Sequence, residues 1–418
     1  MRRFSAVVLC LMLGGIPLES GAEQGVTKVL TSVAQNIHVA DWSYQGEATG
    51  GRKINIVKSI LHGGKQEGVD VISVDNGKLT IVVVPTRGMS VLGVTLGEIR
   101  LGWDSPVREV VHPALMDLHD RGGLGWLDGF NEWMVRCGLE FAGHPGTDKF
   151  QDNTGAENTR PLTLHGKVGN IPASEVEVVV DAKPPHRIRI RGRVDERSFY
   201  GAQLEIWTEI STLPGSSEFR IDDVLSNRGD ETQEFELIYH CNYGPPLLEK
   251  GSKLRIPVRK ITPMNATAAA ALDEYSTIAG PTPGISEQVF LIKPLSDLEG
   301  KVTVLLENAA GDRGTTVRFS TEQLPYLTIW KNQASHRAGY VTGIEPGTCY
   351  PFNRQVERQA GRLPRLGPDR SRKFSLEYAI LENRKNVEAA AAGIQTIQEG
   401  QQPEVVREPP DLEGDSSR

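Results

Sequence analysis

Short runs in which β-branched residues alternate with polar ones, separated by turn residues, dominate positions 26–383. The clearest is Arg187-Ile188-Arg189-Ile190-Arg191. Successive strand residues point to opposite faces, so this run gives one apolar and one charged face. Runs of the same kind predict strands at 69–74, 79–84, 175–180, 187–194, 203–210, 218–225 and 234–239, then at 302–306, 315–319, 326–330 and 374–381. Between the first two, Asp75-Asn76-Gly77 is a hairpin signal, because Asn-Gly accepts positive φ at both turn centres. Lys183-Pro184-Pro185, Leu213-Pro214-Gly215 and Asn227-Arg228-Gly229 punctuate the later runs. Strands recurring every ~10–15 residues, with few long helical windows, predict antiparallel sheets packed face to face. No short repeat period is present, which argues against a propeller or solenoid. The expected fold class is therefore all-β, one large antiparallel β-sandwich with few short helices.

Three regions depart from that pattern. Residues 102–147 carry three of the six Trp and several Gly with little alternation, the mark of a functional loop or lid or of an aromatic-anchored insertion. The N-terminus has Arg2 and Arg3, an apolar run over 4–13, and small residues Ser20 and Ala22. Residues 1–22 therefore read as a secretory signal, which makes the expected location periplasmic or secreted, with no membrane association after cleavage. At the other end, an Ala-rich helical patch at 387–397 leads into a Pro-containing acidic segment poor in apolar residues. Residues 384–418 are expected to be a disordered or loosely docked tail, since such a segment buries too little surface to offset its ordering entropy. That leaves 23–383 as a single sandwich domain.

Composition narrows the function classes. The 418 residues hold 46 Lys+Arg against 53 Asp+Glu, a net charge of −7, with no basic surplus to collect phosphates, so no nucleic-acid partner is expected. After the leader, Cys137, Cys241 and Cys349 remain; one disulfide is possible, but buried small hydrophobes are the better reading. No phosphate-cradling or dinucleotide motif, no GxSxG and no HExxH occurs. His112, Asp117, His119 and Asp120 cluster without a metal-ligand spacing, so no metal is expected.

Three other positions carry candidate chemistry. His165 lies in the Gly-flanked loop Leu164-His165-Gly166-Lys167-Val168-Gly169; His240 ends an apolar strand at Leu237-Ile238-Tyr239-His240; Glu345 follows an apolar strand in Gly343-Ile344-Glu345-Pro346. A strand-end His is more often structural than catalytic, but two imidazoles and a carboxylate at strand ends supply the parts for paired acid and base catalysis near neutral pH. Arg136 and Arg87 could anchor hydroxyls or carboxylates through a rigid fork of donors. Trp126, Trp133 and Trp330 could offer flat faces to a ligand, although buried core aromatics are the more common use, and Lys331 could add a charge at the rim of a pocket.

With these motifs in this order on an all-β chain, the sequence resembles the aldose 1-epimerases (galactose mutarotase-like proteins). It resembles most their divergent bacterial DUF4432 branch, through Pro85-Thr86-Arg87-Gly88-Met89-Ser90, Arg136-Cys137-Gly138-Leu139, His165-Gly166 and Gly343-Ile344-Glu345-Pro346. The resemblance implies that Glu345 is a base, His240 the imidazolium that protonates a ring oxygen, His165 a second histidine of the site and Arg136 a sugar-binding arginine. It implies a monosaccharide or sugar derivative as partner, and no cofactor. Tyr239-His240 and Pro346-Gly347-Thr348 depart from the usual motifs, and both changes touch the pocket lining. A sugar-binding protein without turnover, or a lyase or isomerase acting on uronic or modified sugars, would use the same parts.

Overall fold

The structure, a computed structural model, describes Glu19–Ser20 and residues 25–411. Apart from Glu19–Ser20, the expected leader lies outside the described residues, as does 412–418 of the tail. Alternation produces what it predicts: a 14-stranded sheet and a 10-stranded sheet face each other across one hydrophobic core. Glu175–Val180 is a strand as expected, and Ile188–Arg197, Gln203–Thr212, Glu218–Asn227 and Ser371–Leu381 extend their predicted runs within the smaller sheet.

The hairpin at Asp75-Asn76-Gly77 forms between Val69–Asp75 and Thr80–Val84, with Asp75 paired to Thr80. Gly77 takes φ +86°, whereas Asn76 keeps negative φ and works through its side chain. Its Oδ1 accepts from Lys78 and Leu79 N–H (2.9 and 2.8 Å), and its Nδ2 donates to Thr212 Oγ1 at 2.9 Å, tying the turn to the opposite sheet. Cys137, Cys241 and Cys349 are buried free thiols.

Two expectations need correction. The irregular segment ends at Trp133, because Met134–Leu139 is a strand of the large sheet. It is buried at every position and so lacks the polar alternation that marks a half-exposed strand. The tail is also more ordered than its composition implied. Arg384–Gln398 is a helix whose Asn383 side chain accepts from Asn386 N–H at 3.0 Å, and Val387 and Ile394, two turns apart, pack on Leu305. Beyond it, Glu404–Val405 pairs in parallel with Val258–Pro263.

In the large sheet, five consecutive antiparallel strands run Met134–Leu139, Glu236–Tyr243, Val341–Gly347, Tyr326–Asn332 and Gln288–Pro294. One face of this stretch belongs to the core between the sheets. The other is covered by the segment that carries Trp103, Trp126 and Phe130.

Candidate active site

Strand parity decides which side chains reach the covered face. Along Glu236–Tyr243, Tyr239 and Cys241 join the core, so Ile238 and His240 turn the other way. Along Val341–Gly347, Ile344 joins the core and Glu345 turns out; along Tyr326–Asn332, Leu327 and Ile329 go in and Thr328 and Trp330 out. The register Ile238↔Gly347 and Cys241↔Ile344 then sets His240 opposite Glu345. The result is a cavity of about 470 Å³, lined at its floor by His240, Glu345 and His165.

His165 arrives from a loop rather than a strand. It takes φ +60°, and the chain beside it is so tight that a Cβ on Gly166 would lie 2.0 Å from the Phe141 carbonyl. Only glycine fits there, which accounts for the His-Gly pair. The His165 Nδ1 edge is pinned to the Ala142 carbonyl at 3.0 Å, leaving Nε2 available. The ring sits edge-on to Trp126 and to His240, with centroids 4.6 and 5.2 Å away.

His240 Nε2 lies 3.3 Å from Glu345 Oε1, and both side chains are almost fully buried. Yet Glu345 Oε1 has no hydrogen bond. Buried polar atoms are almost always paired, so an unpartnered carboxylate oxygen on a cavity wall marks a group open to a ligand. Burial, helped by the negative charge of Glu287, pushes the Glu345 carboxyl well above its usual value. Burial, with His165 close by, pushes the His240 imidazole well below its own, and burial takes His165 down to about 4. Both shifts favour neutral forms, so burial works against the His240 imidazolium that the resemblance implies.

Trp126 and Trp330 line the cavity. Arg136, Arg87 and Lys331 do not. Arg136 occupies the opposite parity from Val135 and Cys137, which pack beside Trp126, and it crosses the core to Asp223, with Nε–Oδ2 2.5 Å and Nη2–Oδ1 3.0 Å. Arg87 is sealed behind the irregular segment, pairing with Glu132 at 2.8 Å and donating to the Val111 carbonyl at 2.9 Å. Lys331 follows Trp330 and so faces the other way, donating to the Glu274 and Thr277 carbonyls at 3.0 and 2.9 Å. Trp133 belongs to the inter-sheet core with Phe219 and Tyr378.

Sequence reasoning missed Phe130, Thr328, His144 and Glu287, all of which line the cavity. Thr328 pairs with Glu345 across the strands, so parity from Trp330 could have found it. Glu287 stands exposed at the mouth, where its Oε2 accepts the Trp330 indole N–H at 2.7 Å; no sequence signal marks it.

Residues 66–380, three quarters of the chain, match the family model described as domain of unknown function DUF4432. The chain belongs to the DUF4432 family. No curated protein matches it in sequence. Among solved structures, it is similar to a candidate aldose 1-epimerase from Klebsiella pneumoniae, with 40% identity over 93% of this chain and 100% of that one and a TM-score of 0.87. A galactose mutarotase-like protein from Clostridium acetobutylicum shares the fold at 15% identity, 78% and 98% coverage and a TM-score of 0.53. So does a galactose mutarotase related enzyme from Lactobacillus acidophilus, at 13% identity, 75% and 98% coverage and a TM-score of 0.51. This DUF4432 chain is thus a mutarotase-like sandwich with His165, His240 and Glu345 gathered at one cavity floor.

Proposed function

We propose that this chain is an aldose 1-epimerase, interconverting the two anomers of a monosaccharide. The observation that carries the reading is the His240–Glu345 pair, 3.3 Å apart on the wall of a cavity, with Glu345 Oε1 left without a hydrogen bond.

Anomer exchange needs one acid and one base at a single ring. The base takes the proton of the anomeric hydroxyl, the C1–O1 bond becomes a carbonyl, the C1–O5 bond breaks, and O5 receives a proton from the acid. Rotation about C1–C2 and reclosure on the other face, with the two roles exchanged, gives the opposite anomer. A pair holding one proton supplies both functions whichever partner carries it, so the neutral pair is as competent as an ion pair. His165, fixed through Nδ1, would present Nε2 to a ring or hydroxyl oxygen. Proton transfer from positioned groups contributes about 10²–10⁴-fold each, appreciable for a reaction that water already performs slowly. Trp126, Phe130 and Trp330 supply ring faces on which the C–H face of a pyranose can pack.

The test is polarimetry or NMR on a freshly dissolved α-anomer across a panel of aldoses. Accelerated approach to equilibrium that is lost in Glu345→Gln supports the reading. No acceleration of any aldose sinks it.

A further inference from the structure

We propose, resting on the epimerase reading of the same site, that Arg87 is a positioning residue: from behind the cavity it holds the aromatic wall of Trp126 and Phe130 against His165 and His240. Both rings belong to the irregular segment 102–133, which has no strand pairing to keep it in place. The segment covers the sheet in two legs, and the buried guanidinium of Arg87 reaches both. Its Nη1 donates to the Val111 carbonyl at 2.9 Å on the outgoing leg, and its Nη2 to the Gly129 carbonyl at 3.2 Å on the returning one. Nη2 also pairs with Glu132 at 2.8 Å. Gly129 directly precedes Phe130. A Cβ there would lie 2.3 Å from Arg87 Nη1 and 2.6 Å from the Met116 sulfur, so the guanidinium packs against bare backbone.

The turn Pro85–Arg87 is itself fixed to the other half of the site. Thr86 Oγ1 accepts the Asp70 N–H at 2.8 Å, and Ser90 Oγ donates to the Arg87 carbonyl. Gly88 takes φ +59° and donates its N–H to the Ile171 carbonyl at 3.1 Å; a Cβ on it would lie 2.1 Å from the Val168 carbonyl. Val168 belongs to the loop that presents His165. One short turn thus abuts that loop through Gly88 and holds the irregular segment through Arg87. Where the two meet, Trp126 stands edge-on to His165 at 4.6 Å between centroids, and Phe130 edge-on to His240 at 5.3 Å. Glu132 continues the link: its carbonyl accepts from Asn242 Nδ2 at 3.1 Å, and the same Nδ2 donates to the His240 carbonyl at 3.2 Å. A planar guanidinium can serve two carbonyls and a carboxylate at once, whereas an ammonium supplies the charge without that fork.

The experiment uses two variants. Arg87→Lys keeps a positive charge beside Glu132, and Gly129→Ala leaves every charge in place while driving a methyl group into the guanidinium. In whichever of them folds, KM for the aldose that wild type turns over best should rise by about tenfold or more, with kcat falling less, because a displaced aromatic wall costs sugar binding. Amides of 111–130 should exchange with solvent faster, while those of Met134–Leu139 keep wild-type protection. Arg136→Ala is the control: it breaks an equally buried ion pair in the core between the sheets and should lower stability without raising KM. An unchanged KM in the folded variants would overturn the inference, whatever becomes of their stability, and leave the epimerase reading intact. Should wild type turn over no aldose, the epimerase reading falls and exchange decides the inference. Faster exchange confined to 111–130 then upholds it, and unchanged protection or a loss spread over the whole chain overturns it.

Discussion

His240 and Glu345 face each other from neighbouring antiparallel strands, Nε2 3.3 Å from Oε1, with both side chains almost fully buried. Both stand on paired strands, so the order comes from the sheet itself. Strand registry places the two groups as rigidly as the core places Tyr239 and Ile344 beside them. A site built on strands in this way is preorganised before substrate arrives.

Removing either partner should therefore abolish most of the catalysis while leaving the fold intact. Glu345→Gln and His240→Ala are each expected to lower kcat by about 10²–10⁴-fold, and the double variant should be little worse than either single one, because the pair acts as a unit. Polarimetric rates on variants with wild-type circular dichroism provide the check. Wild-type rates in both single variants would remove these residues from the mechanism.

The pH profile follows from the proton count. Activity requires one proton on the pair. A second proton can arrive only below the lowered His240 value, hence below 6.5, and the last leaves only above the raised Glu345 value, well above 4.5. The expected kcat/KM profile is a plateau between two limbs that belong to the pair and not to either residue. Glu287→Gln removes an anion that helps hold Glu345 protonated, so the alkaline limb should move to lower pH. An unmoved limb would show that Glu287 does not act on Glu345.

Arg136 should prove a matter of stability and not of sugar binding. Its guanidinium and the Asp223 carboxylate are both fully buried, and Tyr239 donates to the same carboxylate at 2.7 Å. Arg136→Ala would leave that carboxylate uncompensated in the core, at a cost of about 3–5 kcal/mol in denaturant unfolding, while KM of the folded enzyme stays unchanged. Replacing both partners by apolar residues of similar volume should recover most of the loss. A raised KM without a loss of stability would return Arg136 to the site.

What could be read in the sequence was whatever one-sided burial writes into it. The run 187–194 showed its two faces because only one is buried, and the His165-Gly166 pair showed because a tight crossing admits only glycine. The sequence pattern ends this strand at Tyr239–His240, yet Cys241, Asn242 and Tyr243 are buried and the strand Glu236–Tyr243 runs through them. Where both faces of a strand are buried, polarity no longer tells core from cavity. Arg136, placed in the site by the resemblance, and Lys331, placed there by its adjacency to Trp330, both face away from it, since two successive strand residues cannot share a face. Phe130 and Glu287 come from irregular chain, where no periodicity exists to be read.

Glu236 gives a prediction whose sign is fixed by burial. Its carboxyl is inaccessible, with Oε2 accepting the Ala142 N–H at 2.9 Å and Oε1 unpartnered. The carbonyl of Ala142 in turn holds the His165 ring. Desolvation raises the carboxyl from 4.5 to about 8, so between those values the folded chain keeps a proton that the unfolded chain releases. A raised folded-state value contributes stability that is fully present below the unfolded value and is lost as pH climbs toward the folded one, at about 1.4 kcal/mol per pH unit. Glu236→Gln mimics the protonated form, and its amide oxygen can still accept from Ala142. The variant should match wild type near about pH 4.5 and become progressively more stable above it, with a gap on the order of 5 kcal/mol by about pH 8. Denaturant unfolding at several pH values measures the gap, and the anomerisation rate should be unaffected because His165 keeps its anchor. A gap that does not widen with pH would mean that Glu236 is ionised in the folded protein and that the loop holding His165 carries a charge.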